Sequence, residues 1–312
     1  MKATIIYSTL IIALILNGCK NSSNKEKSIA LVNDTIKELP IPQIPSLLNK
    51  EEAKINYLIE HYWDRVDFKD TVTIYDLDML EQYWVNYIDR VLSFKKDSYE
   101  EILTKYIQQL NKGAKQNFKF HTDLADKYLY YPTSPLRNDQ VYKTLCTEML
   151  HSPHLSDVEK ERIQYIIDLI NKNNIGEFAE NFKFQTHDGS VHQLNHFKNE
   201  FTILFFNNPG CNICTHVINV LKHSETINFL YNKKRLQIVA ICPDGDTPEW
   251  REHTSDFPEQ WINGYDPNFT LINDNLYDLR GIPSLYLLDS EHKVLVKDAQ
   301  VEEILYKIEE IL

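Results

Sequence analysis

The sequence predicts an all-helical region followed by a C-terminal α/β domain, and three observations support this fold class. Six of the eight glycines lie at or after residue 176, whereas the preceding region repeats apolar residues at helical spacing. After residue 176, short runs of β-branched and aromatic residues alternate with helical segments, which is typical of a mixed sheet. A Cys-x-x-Cys motif, Cys211 to Cys214, stands between one such strand and a helix.

Composition narrows the classes of partner. The chain has 312 residues, enough for two domains, and its formal net charge is −12. An acidic chain without a basic block argues against nucleic acid as a partner.

The N-terminus has the pattern of a targeting segment. Lys2 precedes an apolar run over residues 5–16, which is too short to span a membrane. The run ends in Leu16-Asn17-Gly18-Cys19, which resembles a lipobox, the bacterial signal in which the cysteine is lipidated. We therefore expect residues 1–18 to be a lipoprotein signal peptide and Cys19 to carry a lipid anchor. The alternative is an ordinary cleaved signal peptide with an incidental cysteine.

A lipidated Cys19 would place the protein in the cell envelope, anchored to a membrane, with its soluble domains in the periplasm. Disulfides can form and persist in that compartment. Residues 19–48 are polar and then proline-rich, so we interpret them as a flexible tether.

Residues 49–175 are predicted to form an all-helical domain of six helices. Two Ser-x-x-Glu capping boxes, at Ser98 and Ser156, mark helix starts. Aromatic residues at helical spacing are expected to be packed in a core rather than to form a ligand site. The apolar stripes of the first, second, third and fifth helices begin at Ile55, Leu77, Tyr99 and Tyr142, and the first extends to Val66. A weaker fourth helix is predicted over about 114–130, and the sixth, which starts at Ser156, is predicted to bury Ile163, Ile166, Ile167 and Ile170.

Residues 176–312 are predicted to form the α/β domain. An alternating strand with an Asp188-Gly189 turn opens it, and two buried strands cover 201–206 and 235–242. A short helix follows, with Thr247 as N-cap and Pro248 at its first position. The rest is predicted as a connection containing Trp261 and Tyr265, one helical turn over 276–279, a hairpin of strands 285–289 and 294–296, and a last helix from Val301.

The two cysteines of the motif lie where a strand turns into the first turn of a helix. A helix start has unpaired N–H groups and the positive end of the macrodipole, and both favour a thiolate. Such a pair is a dithiol that can open and close. A zinc site would need two further ligands, usually a second close pair, and none appears, so we expect no metal and no cofactor. Cys146 is predicted to be a buried apolar residue, while Cys242 is either a core residue or a third redox thiol.

Three matching pieces carry a family resemblance: Ala179-x-x-Phe182 with the Asp188-Gly189 turn, Cys211-Asn212-Ile213-Cys214, and Gly281-Ile282-Pro283-Ser284. Residues 176–312 resemble a thioredoxin fold, and more narrowly the TlpA-like and ResA-like membrane-anchored thiol–disulfide oxidoreductases. The resemblance implies that Cys211 is the exposed nucleophile and that Cys214 resolves the mixed disulfide. It also implies that Pro283 is cis and holds the backbone of Ile282 where a substrate strand can pair with it.

The sequence departs from thioredoxin at three places. Gly210 replaces the tryptophan before the first cysteine, so we expect a flatter substrate-binding surface there. Phe205 occupies the position of the buried acid, so no internal base is visible at that place. Asn212-Ile213 replaces Gly-Pro, a dipeptide that tunes the redox potential in this family. His216, two residues after Cys214, is predicted to lie on the surface.

The first functional hypothesis is an envelope-anchored oxidoreductase that exchanges disulfides with protein substrates. Its partners would be protein thiols and disulfides, an upstream electron donor or acceptor, and the membrane. The second is a partner-binding module, in which the helical domain recognises an envelope protein and the thioredoxin-like domain is mainly scaffold. A peroxiredoxin-like peroxidase is disfavoured because Asn208 stands where a threonine is expected. A copper chaperone would need a downstream histidine, for which His292 is the candidate.

Overall fold

A computed structural model describes residues 42–69, 76–94 and 99–312 of the chain. The expected signal peptide, Cys19 and the cap at Ser98 lie outside the described residues. In the N-terminal half, the described residues form mainly α-helices. They are α1 (Glu51–His61), α2 (Leu77–Phe94), α3 (Tyr99–Asn111), α4 (Lys115–Ala125), which continues into a π-helical turn (Asp126–Tyr130), α5 (Asp139–Met149) and α6 (Asp157–Ile170).

These helices pack around an aromatic core, which confirms the packing interpretation of their apolar stripes. Trp84, Tyr87 and Tyr106 are almost fully buried, and the indole N–H of Trp84 donates to the hydroxyl of Tyr106 at 2.9 Å. The capping box at Ser156 is confirmed, because both of its reciprocal hydrogen bonds with Glu159 are present.

The first stripe is longer than the helix that it predicted. α1 ends at His61, whereas the apolar spacing extends to Val66. Tyr62, Trp63 and Val66 are buried all the same, in the turns after the helix. The hydroxyl of Tyr62 donates to the carbonyl of Tyr83 at 3.1 Å, so tertiary packing determines their burial after the helix ends.

The C-terminal half contains a seven-stranded mixed sheet in the order β2-β1-β5-β4-β3-β6-β7. The β3–β4 and β4–β5 pairs are parallel and the others antiparallel. The strands are β1 (Lys183–Thr186), β2 (Val191–Gln193), β3 (Phe201–Phe206), β4 (Leu236–Cys242), β5 (Ile262–Tyr265), β6 (Ser284–Asp289) and β7 (Val294–Ala299). The helices are α7 (Asn212–His223), α8 (Glu225–Asn232), α9 (Pro248–Glu252), α10 (Thr270–Asn273) and α11 (Val301–Ile311).

The central strand β3 is buried on both faces. Phe201, Ile203 and Phe205 pack with α7, α8 and α11, while Leu204 and Phe206 point to the opposite core. Because side chains alternate along a strand, this unbroken apolar run supplies both cores at once. The mixed fold predicted for this half is therefore confirmed.

Two local predictions for the segment after α9 are wrong. Residues 276–279 are irregular, and the helical turn lies earlier, as α10. Asp266 accounts for this position, because its carboxylate accepts the N–H of Leu271 at 2.7 Å and so holds the start of that turn. The segment with Tyr265, predicted as a connection, is strand β5 between β1 and β4. No helix in the described ranges is long and apolar enough to cross a membrane.

Candidate functional site: a dithiol beside a cis-proline loop

The dithiol lies at the carboxyl end of β3. The chain leaves Phe206, turns through Gly210, whose φ of +69° favours a glycine, and enters α7 with Cys211 as N-cap. The Sγ atom of Cys211 accepts the backbone N–H of Cys214 at 3.1 Å. A donated N–H at a helix start stabilises negative charge on that sulfur.

The two thiols have different surroundings. Cys211 is partly exposed, whereas Cys214 is only 3% exposed. Burial and the hydrogen bond with Cys211 raise the pKa of the Cys214 thiol to about 12. Cys211 is therefore the thiol that an external disulfide can reach, and Cys214 is a protonated thiol behind it.

The loop before β6 adjoins the same end of β3. Ser284 pairs with Phe206, so Pro283 lies next to the position where β3 ends. The Ile282–Pro283 peptide bond is cis, as the resemblance implied. Neither the N–H nor the C=O of Ile282 has a hydrogen-bond partner within the described ranges. The fold thus brings Gly210, Cys211, Cys214 and this loop together at the carboxyl end of β3.

A histidine that the sequence reasoning did not single out also borders the motif. His253 and Asp256 follow α9 and line a small cavity of about 20 Å³ together with Cys211 and Cys214. The Nδ1 atom of His253 lies 2.7 Å from a carboxylate oxygen of Asp256. Thr247 and Pro248 mark the start of α9 in the sequence, but no local pattern indicates that the following residues return to the cysteines.

Phe205, at the position where thioredoxins have a buried acid, has apolar surroundings. Phe205 is buried among the side chains packed on α7, and its ring centroid lies 6.4 Å from that of Phe257. The titratable side chains that line the cavity beside Cys214, apart from the cysteines, are therefore His253 and Asp256 rather than a residue on β3.

The remaining described cysteines are buried away from solvent. Cys146 lies in the helical core and Cys242 at the end of β4, each with 0% exposure. Burial raises the pKa of Cys146 to about 12 and that of Cys242 to about 11. Both therefore have the environment of apolar core residues.

The two histidines considered from the sequence do not line the cavity beside the dithiol. His216 is exposed and lies 3.9 Å from Glu302. His292 follows β6, whose Asp289 pairs with Phe201 at the far end of β3, roughly 17 Å from the end that carries the dithiol. His292 thus cannot join the two cysteines around one copper ion. Within the described ranges, no group of three or more His, Cys, Asp and Glu side chains could hold a metal ion.

Residues of the helical half also border the region around the dithiol and the cis-proline loop. A cleft of about 230 Å³ is lined by Tyr131, Pro132 and Thr133 from the helical half, and by Ile213 and residues 280–283 from the other half. Sequence reasoning did not assign these helical residues to the site, because they are separated from it by some 80 positions or more and carry no motif.

Comparisons with known proteins agree with this architecture. A family described as thioredoxin-like matches residues 199–294, and a domain of unknown function, DUF5106, matches residues 18–173. The crystal structure of a thioredoxin-like protein from Bacteroides caccae is 40% identical, with a TM-score of 0.82. That alignment covers 89% of this chain and 100% of the other, and so includes both halves.

Two further crystal structures match the C-terminal part. The C-terminal domain of an uncharacterized protein from Bacteroides fragilis is 42% identical over 44% of this chain and 98% of its own, with a TM-score of 0.43. The thioredoxin domain of a thiol-disulfide oxidoreductase from Bacteroides vulgatus is 21% identical over 44% and 97%, with a TM-score of 0.39. A comparison with proteins of curated function found no match.

Proposed function

The chain belongs to the thioredoxin-like family, with a DUF5106 domain ahead of the thioredoxin-like domain, and from that premise we propose that it is a thiol–disulfide oxidoreductase acting on protein substrates. The observation that carries the proposal is the arrangement of Cys211 and Cys214. One sulfur is accessible and accepts a helix N-terminal N–H, and the other is buried three residues later. That asymmetry suits a nucleophile and a resolving thiol.

The exchange, written in the direction of substrate reduction, has two balanced steps. The thiolate of Cys211 attacks one sulfur of a substrate disulfide, an S–S bond breaks, and the other substrate sulfur leaves as a thiolate. Cys214 then loses its proton and attacks Sγ of Cys211, which releases the second substrate thiolate and forms the Cys211–Cys214 disulfide. Two electrons pass to the substrate, and an upstream dithiol donor restores the pair. The reverse sequence oxidises a substrate dithiol.

The second step needs a proton acceptor, and the structure supports a role for His253. A cavity of about 20 Å³ is large enough for one water molecule, and its polar lining supplies hydrogen-bond partners for that water. Asp256 can hold Nδ1 of His253 protonated, which leaves Nε2 to accept a proton. We propose that the proton of Cys214 passes through such a water to His253, in place of the acid that Phe205 has replaced.

The loop at Ile282 and Pro283 supports the proposed docking of substrate. The free N–H and C=O of Ile282 can pair with an extended polypeptide, as in strand addition to an exposed sheet edge. Gly210, which is exposed directly before Cys211, presents no side chain against an approaching backbone. Both features favour a protein disulfide as substrate.

We further propose that the protein acts at the cell envelope through a lipid on Cys19, with residues 19–48 as the tether, 49–175 as the helical domain and 176–312 as the thioredoxin-like domain. The Leu16-Asn17-Gly18-Cys19 sequence supports this proposal. When cells that express the full chain are fed radiolabelled palmitate, the purified protein should carry the label. A Cys19→Ser variant that takes up as much label would contradict the anchoring.

The activity is tested with the full chain and an insulin turbidity assay driven by a chemical dithiol. The wild type should precipitate insulin, and Cys211→Ser should not. Cys214→Ser should trap mixed disulfides with envelope proteins, which mass spectrometry would map to Cys211. If the wild type does not reduce insulin and Cys214→Ser traps no partner, the proposed function is wrong.

A further inference from the structure

Beside the dithiol, the segment Tyr131-Pro132-Thr133, here called the helical wall, faces the cis-proline loop across a cleft of about 230 Å³. We propose that the helical wall is one side of the substrate-docking cleft and selects polypeptides with an apolar side chain next to the reacting cysteine. This inference rests on the proposed function, because it names the substrate class of that same site.

At Pro132, the helical wall comes close to Gly281 of the loop. A Cβ atom added at Gly281 would lie 2.6 Å from Cβ of Pro132, so only glycine allows this approach. The helical wall is also fixed at its own ends, since the N–H of Tyr131 donates to the carbonyl of Asp126 and the N–H of Ser134 to that of Tyr131. It is therefore a formed surface beside the site.

Arg280, directly before the loop, is held by the helical half. Its guanidinium lies 3.7 Å from the ring centroid of Tyr130 and donates to Asp139 at 2.6 Å. These contacts fix the N-terminal side of the cis-proline loop relative to the helical wall.

The C-terminal side of the loop is held in the same way. Arg137 of the helical half donates to the carboxylate of Asp298, and Asp298 accepts the hydroxyl of Ser284 at 2.7 Å. Because Ser284 follows Pro283 directly, both flanks of the loop are tied to the helical half. A polypeptide that pairs with Ile282 must therefore lie against the helical wall.

The lining of the cleft indicates what occupies it. Tyr131 is 61% exposed and Ile213 is 53% exposed, so two large apolar side chains border it uncovered. Arg137 and Arg280 also line it, but Asp298 and Asp139 compensate their charges. The volume lies below the roughly 300–1,000 Å³ of pockets that hold drug-sized ligands. An apolar side chain of an extended polypeptide fits such a site. Ile282 also lines the cleft, so the backbone of the same polypeptide can pair with the N–H and C=O of Ile282.

The test uses the full-length protein and two synthetic peptides that differ only beside their single cysteine, which is linked to 5-thio-2-nitrobenzoate. One peptide has leucine on both sides of the cysteine and the other has aspartate. The wild type should prefer the leucine peptide in kcat/KM by roughly tenfold, the effect that a small apolar group in a binding pocket produces. Tyr131→Ala should lose most of that preference, and Tyr131→Phe should keep it.

Tyr306 supplies a matched control, because it is 70% exposed on α11 and does not line the cleft. Tyr306→Ala should keep the wild-type preference. A preference that survives Tyr131→Ala, or that falls equally in Tyr306→Ala, would overturn the inference alone. Reaction of the wild type with neither peptide nor with hydroxyethyl disulfide would overturn the proposed function as well.

Discussion

At the scale of single residues, the described thiols differ mainly in access to solvent. Cys211 is partly exposed, while Cys146, Cys214 and Cys242 are buried and burial raises the pKa of each buried thiol. Since the thiolate is the reactive form, an alkylating reagent at pH 7 should modify Cys211 at least tenfold faster than these three.

Peptide mapping by mass spectrometry after timed exposure of the native full chain to iodoacetamide measures these rates. The same reaction in denaturant is the control, because unfolding should remove the difference. Equal rates at Cys211 and at any of the three buried thiols in the native protein would contradict the prediction.

His253 leads to a prediction about the pH profile of the second chemical step. In His253→Gln, resolution of a preformed mixed disulfide on Cys211 should slow by roughly 10²-fold at pH 7, because general-base assistance is typically of that size. The slowed rate should rise with pH more steeply than that of the wild type, since hydroxide replaces the lost base. Stopped-flow release of 5-thio-2-nitrobenzoate measures it.

The matched control is His216→Gln, which removes an exposed histidine on α7 that does not line the cavity. This variant should keep the rate and pH profile of the wild type. A wild-type profile in His253→Gln would show that the proton leaves Cys214 by another route.

At the scale of the elements, α4 carries a buried histidine that makes the helical half sensitive to acid. His121 is 1% exposed and its Nδ1 lies 2.7 Å from the hydroxyl of Tyr106. Burial lowers the pKa of His121 to about 3. In the unfolded chain a histidine binds its proton near pH 6.5. Between these values the unfolded state binds more protons, so stability falls as the pH falls.

The expected size is about 1.4 kcal/mol of unfolding free energy for each pH unit below about 6.5. His121→Gln should remove that contribution, so its urea midpoint should fall less between pH 7 and pH 5 than that of the wild type. His216→Gln should behave as the wild type does. Equal slopes in the wild type and His121→Gln would contradict the burial argument.

The elements also show what local sequence can predict. Six helices among the described residues of the helical half, and the strands at 201–206 and 235–242, followed from periodicity, because each buries one face or both faces. β5 did not, since Gly264 interrupts its short apolar pattern and its pairing partners are distant in the chain. α10 did not either, because it depends on the side chain of Asp266 rather than on spacing.

At the scale of the whole molecule, the candidate site was only partly predictable. Cys211 and Cys214 were predicted from the Cys-x-x-Cys motif, and Pro283 from the resemblance to the thioredoxin family. The contacts of Arg137 with Asp298 and of Arg280 with Asp139 join positions 161 and 141 residues apart. Charged residues at such separations have no periodic signal, so only the folded chain shows that the helical half holds the cis-proline loop.

The ion pairs of Arg137 with Asp298 and of Arg280 with Asp139 lead to a prediction about the stability of the folded chain. Burial would lower the pKa of Arg137, but the charges of Asp298 and Asp139 outweigh burial and raise it. Removing one partner of a buried ion pair typically costs about 3–5 kcal/mol, and the lower end applies here because Asp139 keeps its contact with Arg137. Asp298→Asn should therefore lower the unfolding free energy by about 3 kcal/mol in urea denaturation.

Asparagine is the suitable replacement, because Asp298 has a φ of +44° and asparagine tolerates that conformation. The control is Glu200→Gln, which breaks the exposed ion pair with Arg235 at the surface of the thioredoxin-like domain. Exposed pairs contribute little, so this change should be much smaller. If the two variants lose the same stability, Asp298 is not the buried counter-charge that joins the halves. A larger loss of unfolding free energy in Asp298→Asn, together with a lower preference for the leucine peptide, would show that the contacts of Asp298 with the helical half also maintain the docking cleft.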